Sequence, residues 1–381
     1  MKIGFLITYF FPQKGGAETN CHSLAKELAK KHEVHVFCSG DKDSEEIIDN
    51  IKVHRCKESF RIKYYLAFYP SLLKKLLKQD LEVLHVHGFG FLQHDLSISL
   101  LKIKNPKTKI VCTPHGPFMA LKSYNLVQTV FKNIYMPFLR RSLRNYSIII
   151  QVNPNQKCWL KKDYKIPEEK IRLLPNGIHK ETFKKIPPQE IDKISKEYNL
   201  NKRFVISYLG RIQEYKGVYH VVNILPELKK SIPNILFVAI GRDAGEKERL
   251  EKLAKKLNVS DNLLFAGEVD ENKKLALLEL SEIFIFPSEW EAFGIATLEA
   301  MARENAVAST RTEGGVYLIK EGENGFLSDI HNEKQLLKNI ETLSKDNSLR
   351  KKIQQQNFKK AKEFLWEDIA QDLEKIYKEL K

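Results

Sequence analysis

Four charged residues in the second half of the chain have the types and positions for handling a phosphorylated ligand. Glu291 and Glu299 stand with seven residues between them in Pro287-Ser288-Glu289-Trp290-Glu291-Ala292-Phe293-Gly294-Ile295-Ala296-Thr297-Leu298-Glu299-Ala300-Met301-Ala302. The apolar run Ile283-Phe284-Ile285-Phe286 before it reads as a strand, and the pattern from Gly294 onward as a helix. Strand, loop, helix is the place where open α/β sheets bind ligands. The helix N-terminus there offers unpaired N–H groups and the positive dipole end to an anion. Glu299 sits in an otherwise apolar segment, where an unpaired carboxylate is costly. It either meets a ligand or caps or salt-bridges a core helix. Upstream, Tyr208-Leu209-Gly210-Arg211-Ile212-Gln213-Glu214-Tyr215-Lys216-Gly217 places Arg211 and Lys216 on a loop between a strand and a helix. A guanidinium fork and an ammonium point charge can neutralise a diphosphate without a metal. The alternative is a solvated basic turn.

The first half offers weaker signals. Gly15 and Gly16, in Pro12-Gln13-Lys14-Gly15-Gly16-Ala17-Glu18, lie between a first strand and a helix. Paired glycines there let backbone approach a ligand and accept positive φ, or they form a plain βα turn. The pattern is not GxGxxG, so the dinucleotide fingerprint is not met. His115, in Cys112-Thr113-Pro114-His115-Gly116-Pro117, follows a strand, and its place between Pro and Gly at the strand end favours function over a satisfied structural histidine. His87 has a similar but weaker case. Asp41-Lys42-Asp43 has the DxD spacing of metal-dependent sugar transferases, but it lies among further acids and reads as a solvated loop.

The elements that must position these residues alternate along the chain. In the first half strands are expected at 2–8, 33–38, 51–55, 82–86, 109–113 and 147–152, and helices at 17–31, 64–79, 91–103, 119–144 and 154–163. The polar stretch 181–202, with Lys184-Lys185-Ile186-Pro187-Pro188, reads as a linker. A second series has strands near 203–209, 235–240, 262–266, 283–286 and 305–309. Its helices fall near 216–230, 246–258, 271–280, 294–303 and 332–345, followed by an amphipathic helical tail over 347–380 interrupted at Phe364-Leu365-Trp366. Such alternation predicts an α/β chain of two doubly wound parallel sheets facing a cleft. The expected division is a first Rossmann-like domain over 1–185, a second over 186–360, and a C-terminal helix over 361–381 that crosses back to the first domain.

Composition narrows the class. The 381 residues are 43% hydrophobic, enough for two cores. No run of about 18 apolar residues exists, so no spanning segment is expected. The N-terminus reads as a first strand and not a signal peptide. Five cysteines (Cys21, Cys38, Cys56, Cys112, Cys158) without CxxC spacing read as reduced thiols of a cytoplasmic protein and give no zinc motif. The net charge of +15 belongs wholly to the first half: residues 1–190 hold 32 Lys and Arg against 17 Asp and Glu, and the remainder holds 31 of each. Such a one-signed surface attracts polyanions or anionic lipid.

Taken in order, Gly15-Gly16, Gly210-Arg211…Lys216-Gly217 and Glu291…Phe293-Gly294…Glu299-Ala300-Met301 resemble family 4 of the retaining nucleotide-sugar glycosyltransferases (glycosyl transferases group 1), which have the GT-B fold. Leu174-Pro175-Asn176-Gly177-Ile178, Ala239-Ile240-Gly241, Phe265-Ala266-Gly267-Glu268-Val269 and Glu323-Asn324-Gly325-Phe326 extend the resemblance over nearly the whole chain, more strongly in the second domain. It implies two Rossmann-like domains, the first binding the acceptor and the second the nucleotide-sugar donor, and transfer of a hexose-type sugar from a nucleoside-diphosphate sugar, with retention and without a metal. Arg211 and Lys216 would bind the diphosphate, and Glu299 the ribose hydroxyls. Glu291 would bind sugar hydroxyls, beside the backbone N–H groups of Phe293, Gly294 and Ile295. Val269 would line the base pocket, Gly15 and Gly16 would let the first domain close on the phosphate and sugar, and His115 would contact the sugar. The catalytic set would then be His115, Arg211, Lys216 and Glu291. No carboxylate nucleophile is evident in the first domain's loops, which favours a front-face route in which the leaving phosphate helps deprotonate the acceptor.

The sequence departs from the family at three places: His179 stands where Asp is frequent, Arg303-Glu304-Asn305-Ala306 where Gly and Pro are usual, and Val316-Tyr317-Leu318-Ile319 follows Gly314-Gly315 where a Glu is common. The acceptor side is read from charge. Residues 119–144 carry Val127, Val130, Phe131, Ile134 and Phe138 at helical spacing, flanked by Lys122, Lys132, Arg140, Arg141 and Arg144. Residues 63–78 repeat the style. Basic aromatic amphipathic stretches suit an anionic membrane interface, the alternative being faces packed on the sheet. The expected partners are therefore a nucleoside-diphosphate sugar, a lipid-linked or glycan acceptor and an anionic membrane surface on the cytoplasmic side. The other readings are a GT-B-fold sugar-nucleotide epimerase, a non-catalytic sugar-nucleotide sensor, and a basic nucleic-acid-binding protein. Nucleic acid is not an expected partner, because neither an RRM aromatic signature nor zinc-finger spacing is found.

Overall fold

A computed structural model describes residues 1–13, 15–62, 66–118 and 125–380. The chain divides into two compact units, Met1–Asn176 with Trp366–Lys381, and Gly177–Leu365.

The first unit is built on strands β1 (Lys2–Leu6), β2 (Glu33–Gly40), β3 (Ser44–Ile48), β4 (Ile51–Lys57), β5 (Phe60–Ile62), β6 (Leu66–Phe68), β7 (Val83–His87), β8 (Lys109–Thr113), β9 (Ile148–Gln151) and β10 (Ile171–Leu173). Its helices are α1 (Gly16–Leu28), α2 (Leu72–Leu77), α3 (Leu92–Lys104), α4 (Leu126–Ser142) and α5 (Gln156–Lys162). Eight strands form one sheet in the order β10-β9-β8-β7-β1-β2-β4-β3, and β5 and β6 pair separately. All neighbours in the large sheet are parallel except β3 and β4. Ile3, Phe5 and Leu6 of β1 are fully buried, as expected of a central parallel strand covered on both faces. The chain winds from β1 to β2 on one side and to β7 on the other, so β1 borders the switch point. The C-terminal helix Trp366–Glu379 packs on α1, and its Tyr377 hydroxyl lies 2.6 Å from His85 Nδ1.

The second unit carries α6 (Pro188–Glu197), β11 (Phe204–Leu209), α7 (Val218–Ser231), β12 (Ile235–Ile240), α8 (Lys247–Lys256), β13 (Leu263–Gly267), α9 (Glu271–Glu279), β14 (Ile283–Phe286), α10 (Ile295–Ala302), β15 (Ala306–Thr310), α11 (Glu313–Leu318), β16 (Phe326–Ser328), α12 (Glu333–Lys345) and α13 (Asn347–Ala361). Its six strands are all parallel, in the order β13-β12-β11-β14-β15-β16. The winding reverses between β11 and β14, and that pair forms the switch point.

Several elements differ from the sequence reading. The expected linker 181–202 contains α6: Pro188 opens a helix at its first turn, and Ile194 and Leu200 are buried. Residues 177–185, read as first-domain sequence, are held in the second unit. Ile178 N donates to Phe364 O (2.9 Å), and Arg303 Nη1 donates to the carbonyls of Thr182 (3.1 Å) and Lys184 (2.7 Å). The helix expected over 64–79 is confined to α2, preceded by the β5–β6 hairpin; residues 63–65 lie outside the described residues. Leu72 and Leu76 of α2 are core residues. Residues 119–124 of the other basic stretch are likewise outside the described residues. In α4 the expected single apolar face is split. Phe131 and Phe138 pack against the core beside Tyr135 and Leu139, while Leu126 (80% exposed), Val127 (76%), Val130 and Ile134 (72%) face outward. Among the described residues no helix is long and apolar enough to cross a membrane. Cys21, Cys38, Cys56 and Cys112 are buried and Cys158 exposed, all as free thiols.

Candidate active site

In the second unit, Arg211 and Lys216 leave the end of β11, and Glu291 leaves the end of its neighbour β14. Three of the four sequence-predicted charges, Arg211, Lys216 and Glu291, therefore stand at the carboxyl edge of the switch point, where α/β sheets bind ligands, and the fourth, Glu299, lies within α10. The turn after β11 ends at Gly217, whose φ of +70° is left-handed. A Cβ at that position would lie 2.1 Å from Pro287 O, so only glycine lets the start of α7 rest against the loop after β14. The loop itself is pinned by backbone. Glu289 N donates to Tyr215 O (2.8 Å), and Gly314 N donates to Glu291 O (3.0 Å). Phe293 is buried against Phe364 and Tyr317. Gly294, at φ +96°, turns the chain into α10 without a side-chain cap.

Lys216 Nζ lies 2.8 Å from Glu291 Oε2, with the two side chains 12% and 18% exposed. Burial opposes the lysine's charge, but attraction to Glu291 and Tyr215 and the hydrogen bond to Glu291 outweigh it, so its pKa stands above the ordinary lysine value. The ammonium also sits over the Tyr215 and Phe286 rings. The other Glu291 oxygen faces Phe293 N at 3.4 Å. Arg211 is exposed, with Nη2 3.2 Å from the Tyr215 hydroxyl. Glu299 faces Lys274 of α9 at 2.5 Å, and Lys274 also meets Glu271 at 2.8 Å. Burial opposes the Lys274 charge, yet the two carboxylates raise its pKa above the usual value. The structural reading of Glu299 as a salt-bridge partner thus has its residue, Lys274, which no local sequence pattern marks. Val269 is half-buried two residues beyond β13, on the same edge of the sheet. Nor does a local sequence pattern mark Tyr215 as the residue whose backbone holds the loop after β14.

Arg303, one of the departures from the family pattern, is buried and pairs with Glu279 while its guanidinium holds the 182–184 carbonyls. Glu304, after the end of α10, adopts φ +58°, a conformation that suits glycine best.

In the first unit His115 stands beyond β8 with φ +60°. Its Nε2 is 2.9 Å from His87 Nδ1. The rings of Phe5, His85, His87 and His115 form a stack, and His85 Nε2 contacts Thr113 Oγ1 at 2.8 Å. Burial lowers His115 to about 4, and burial with the neighbouring His115 lowers His85 to about 3. These imidazoles are therefore neutral at pH 7 and act as hydrogen-bonding groups, not cations. Gly15 is extended (φ −165°) and caps α1, and neither Gly15 nor Gly16 takes the positive φ that the pair allowed. A Cβ on Gly16 would meet nothing within 4 Å. Asp43 of the DxD triplet binds structure: its carboxylate accepts from Lys57 N (3.2 Å) and pairs with Lys75 (3.1 Å).

The chain thus has two α/β units on largely parallel sheets, the second with Arg211 and the Lys216–Glu291 pair at its switch point. Residues 190–360 match the family described as Glycosyl transferases group 1, and residues 14–182 match Glycosyltransferase Family 4. The chain belongs to this glycosyltransferase family and has the GT-B fold. It is 22% identical to the phosphatidyl-myo-inositol mannosyltransferase of Mycolicibacterium smegmatis, over 99% of this chain and 93% of that protein. It is 23% identical to the phosphatidylinositol N-acetylglucosaminyltransferase gpi3 subunit of Schizosaccharomyces pombe, over 97% and 78%. Among solved structures, Anabaena HepE in complex with UDP and glucose aligns with a TM-score of 0.80 and 18% identity, covering 100% of both chains.

Proposed function

We propose that this glycosyltransferase moves a hexose-type sugar from a nucleoside-diphosphate sugar to a lipid-linked or membrane-associated glycan acceptor, with retention and with no metal at the diphosphate. The observation that carries this is the placing of Arg211, Lys216 and Glu291 on the loops that leave β11 and β14 at the switch point, with Lys216 and Glu291 in direct contact. Arg211 and Lys216 neutralise the leaving diphosphate as its charge develops, and the start of α10 adds a fixed dipole. Glu291 is held by the lysine where it can accept from sugar hydroxyls, and Glu299 accepts from the ribose. Val269 lines the base pocket. In the first unit, His115 supplies a neutral imidazole for a sugar hydroxyl, and Gly15 and Gly16 leave the N-terminus of α1 open to a phosphate. No carboxylate is assigned as a nucleophile; the leaving phosphate takes the acceptor proton as the new bond forms on the same face.

The lipid acceptor is supported by two relatives whose names specify phosphatidylinositol acceptors, and the nucleotide donor by a structural neighbour solved with UDP and glucose. The membrane reading is supported by α4, where Leu126, Val127, Val130 and Ile134 face outward, and by Arg141 and Arg144, exposed at and just past its C-terminal end. Apolar groups flanked by cations suit the headgroup boundary of an anionic bilayer. On this reading the enzyme works as a peripheral protein on the cytoplasmic face of the cell membrane. The test is incubation with nucleoside-diphosphate hexoses and lipid extract in EDTA, with the anomeric configuration of the product read by NMR. A glycolipid with the donor's anomeric configuration is expected. An inverted product, or donor turnover to an epimer without transfer, would overturn the proposal.

A further inference from the structure

We propose that His220, Glu289 and His331 form a divalent transition-metal site of the zinc class that clamps the loop after β14. The three residues come from three places in the second unit: the first turn of α7, the loop carrying Glu291, and the turn between β16 and α12. One ligand atom from each lies within 4.8 Å of the others. His220 Nε2 and His331 Nδ1 are 3.3 Å apart. Two nitrogens bound to tetrahedral zinc at about 2.0–2.1 Å stand about 3.3–3.4 Å apart, so the imidazoles already span one edge of such a site. Glu289 Oε1 is 4.0 Å from His331 Nδ1, and a shift of about 1 Å by this partly exposed carboxylate completes a face, leaving the fourth position to water.

The surroundings are those of a metal-binding histidine. His220 is buried, and its Nδ1 lies 2.8 Å from Glu333 Oε1. Asn223 Nδ2 donates to the same oxygen at 2.8 Å. A carboxylate on Nδ1 fixes the proton there and turns the Nε2 lone pair toward the metal position, the arrangement that orients metal-ligating imidazoles. His331 Nδ1 faces that nitrogen at 3.3 Å, and a metal ion would sit between the two. A small pocket lined by His220, His331, Glu333, Asp329 and Thr310 adjoins the position, and His331, with its side chain 59% exposed, gives access from solvent. The clamp lies two residues from Glu291 and three from Gly217, and Glu289 N already holds Tyr215 O. A bound ion therefore tightens the loop that carries Glu291 while taking no part at the diphosphate. The inference rests on these side chains alone and stands independently of the donor assigned above.

The test is zinc binding to the untagged, EDTA-stripped protein, in a Cys158→Ser background that removes the exposed thiol, by isothermal titration and by cobalt absorption. One equivalent is expected, with a rise in Tm and the visible bands of four-coordinate cobalt. His331→Gly, which suits the φ of +66° at that position, should weaken binding by at least about tenfold, and Glu333→Gln by about 10–100-fold. Unchanged binding in His331→Gly would overturn the proposal. So would a wild-type protein that stays metal-free in excess zinc.

Discussion

Replacing Lys216 by methionine isolates the charge at the centre of the site. The aliphatic stem keeps its place against Tyr215 and Phe286, and only the ammonium is lost. Glu291, 2.8 Å away and 18% exposed, then has no counter-charge. At that separation the attraction is about 6 kcal/mol in an effective dielectric of 20, most of it offset by desolvation of both groups. Breaking a fully buried pair costs about 3–5 kcal/mol; the residual exposure here reduces the expected loss to about 1–3 kcal/mol. Adding Glu291→Gln removes the orphaned charge, so the double variant should recover about 1 kcal/mol relative to additivity. Turnover should fall by about 10²–10³-fold in Lys216→Met, because the leaving diphosphate loses a preorganised cation, and the double variant should not regain it. Urea unfolding measures the first effect, and kcat with saturating donor measures the second. A stability change within about 0.3 kcal/mol would contradict the ion pair, and normal turnover would remove Lys216 from the leaving-group role.

Four further outcomes follow from particular contacts. Glu299→Gln should weaken donor binding by about 1.5–3 kcal/mol, read as a roughly ten- to hundredfold rise in KM, through loss of a charged acceptor; an unchanged KM would leave Glu299 a purely structural partner of Lys274. Gly16→Ala adds a methyl group to open space at the first helical position of α1, so it should raise stability by about 0.5 kcal/mol yet lower donor turnover; intact turnover would exclude ligand approach there. Glu304→Gly, at φ +58°, should stabilise by about 1 kcal/mol in thermal unfolding, and a loss would refute the strain argument. The folded-state pKa values of His85 (about 3) and His115 (about 4) lie below the unfolded value near 6.5, so the unfolded chain binds protons first as pH falls. Each should remove up to about 1.4 kcal/mol per pH unit between pH 6.5 and its folded value. Asp95, raised to about 7 by burial, acts in the opposite sense between about pH 4 and 7. His115→Gln should therefore flatten the acid limb of stability measured by urea titration.

Much of the β11–β14 edge is legible because its signals are local. Strand, loop and helix follow one another in sequence at Arg211–Gly217 and at Glu291–Glu299, and the apolar runs of β11 and β14 mark the parallel sheet. The illegible parts are those made by distant partners or short pairings. Lys274 reaches Glu299 across 25 residues, and His220 meets His331 across 111, so neither pair leaves a spacing to read. Strands β10 and β16 have three residues each, too few to show alternation. The polar stretch 181–202 looked like a linker because Pro187-Pro188 punctuates it, but Pro188 begins α6 and the buried Ile194 supplies its apolar contact. In α4, Phe131 and Val130 are adjacent in sequence and point to different surroundings, core and solvent, which periodicity alone blended into one face.

The most direct test of the donor site is nucleotide binding by thermal shift and calorimetry, using UDP, GDP, ADP and their sugar conjugates in EDTA, with wild type and Arg211→Ala in parallel. The account predicts a metal-independent shift with one nucleotide family, weakened at least about tenfold in Arg211→Ala, whose side chain is exposed and whose loss should leave the fold intact. No shift with any nucleotide, or one that survives Arg211→Ala unchanged, would contradict the assignment of the β11–β14 edge as the donor site.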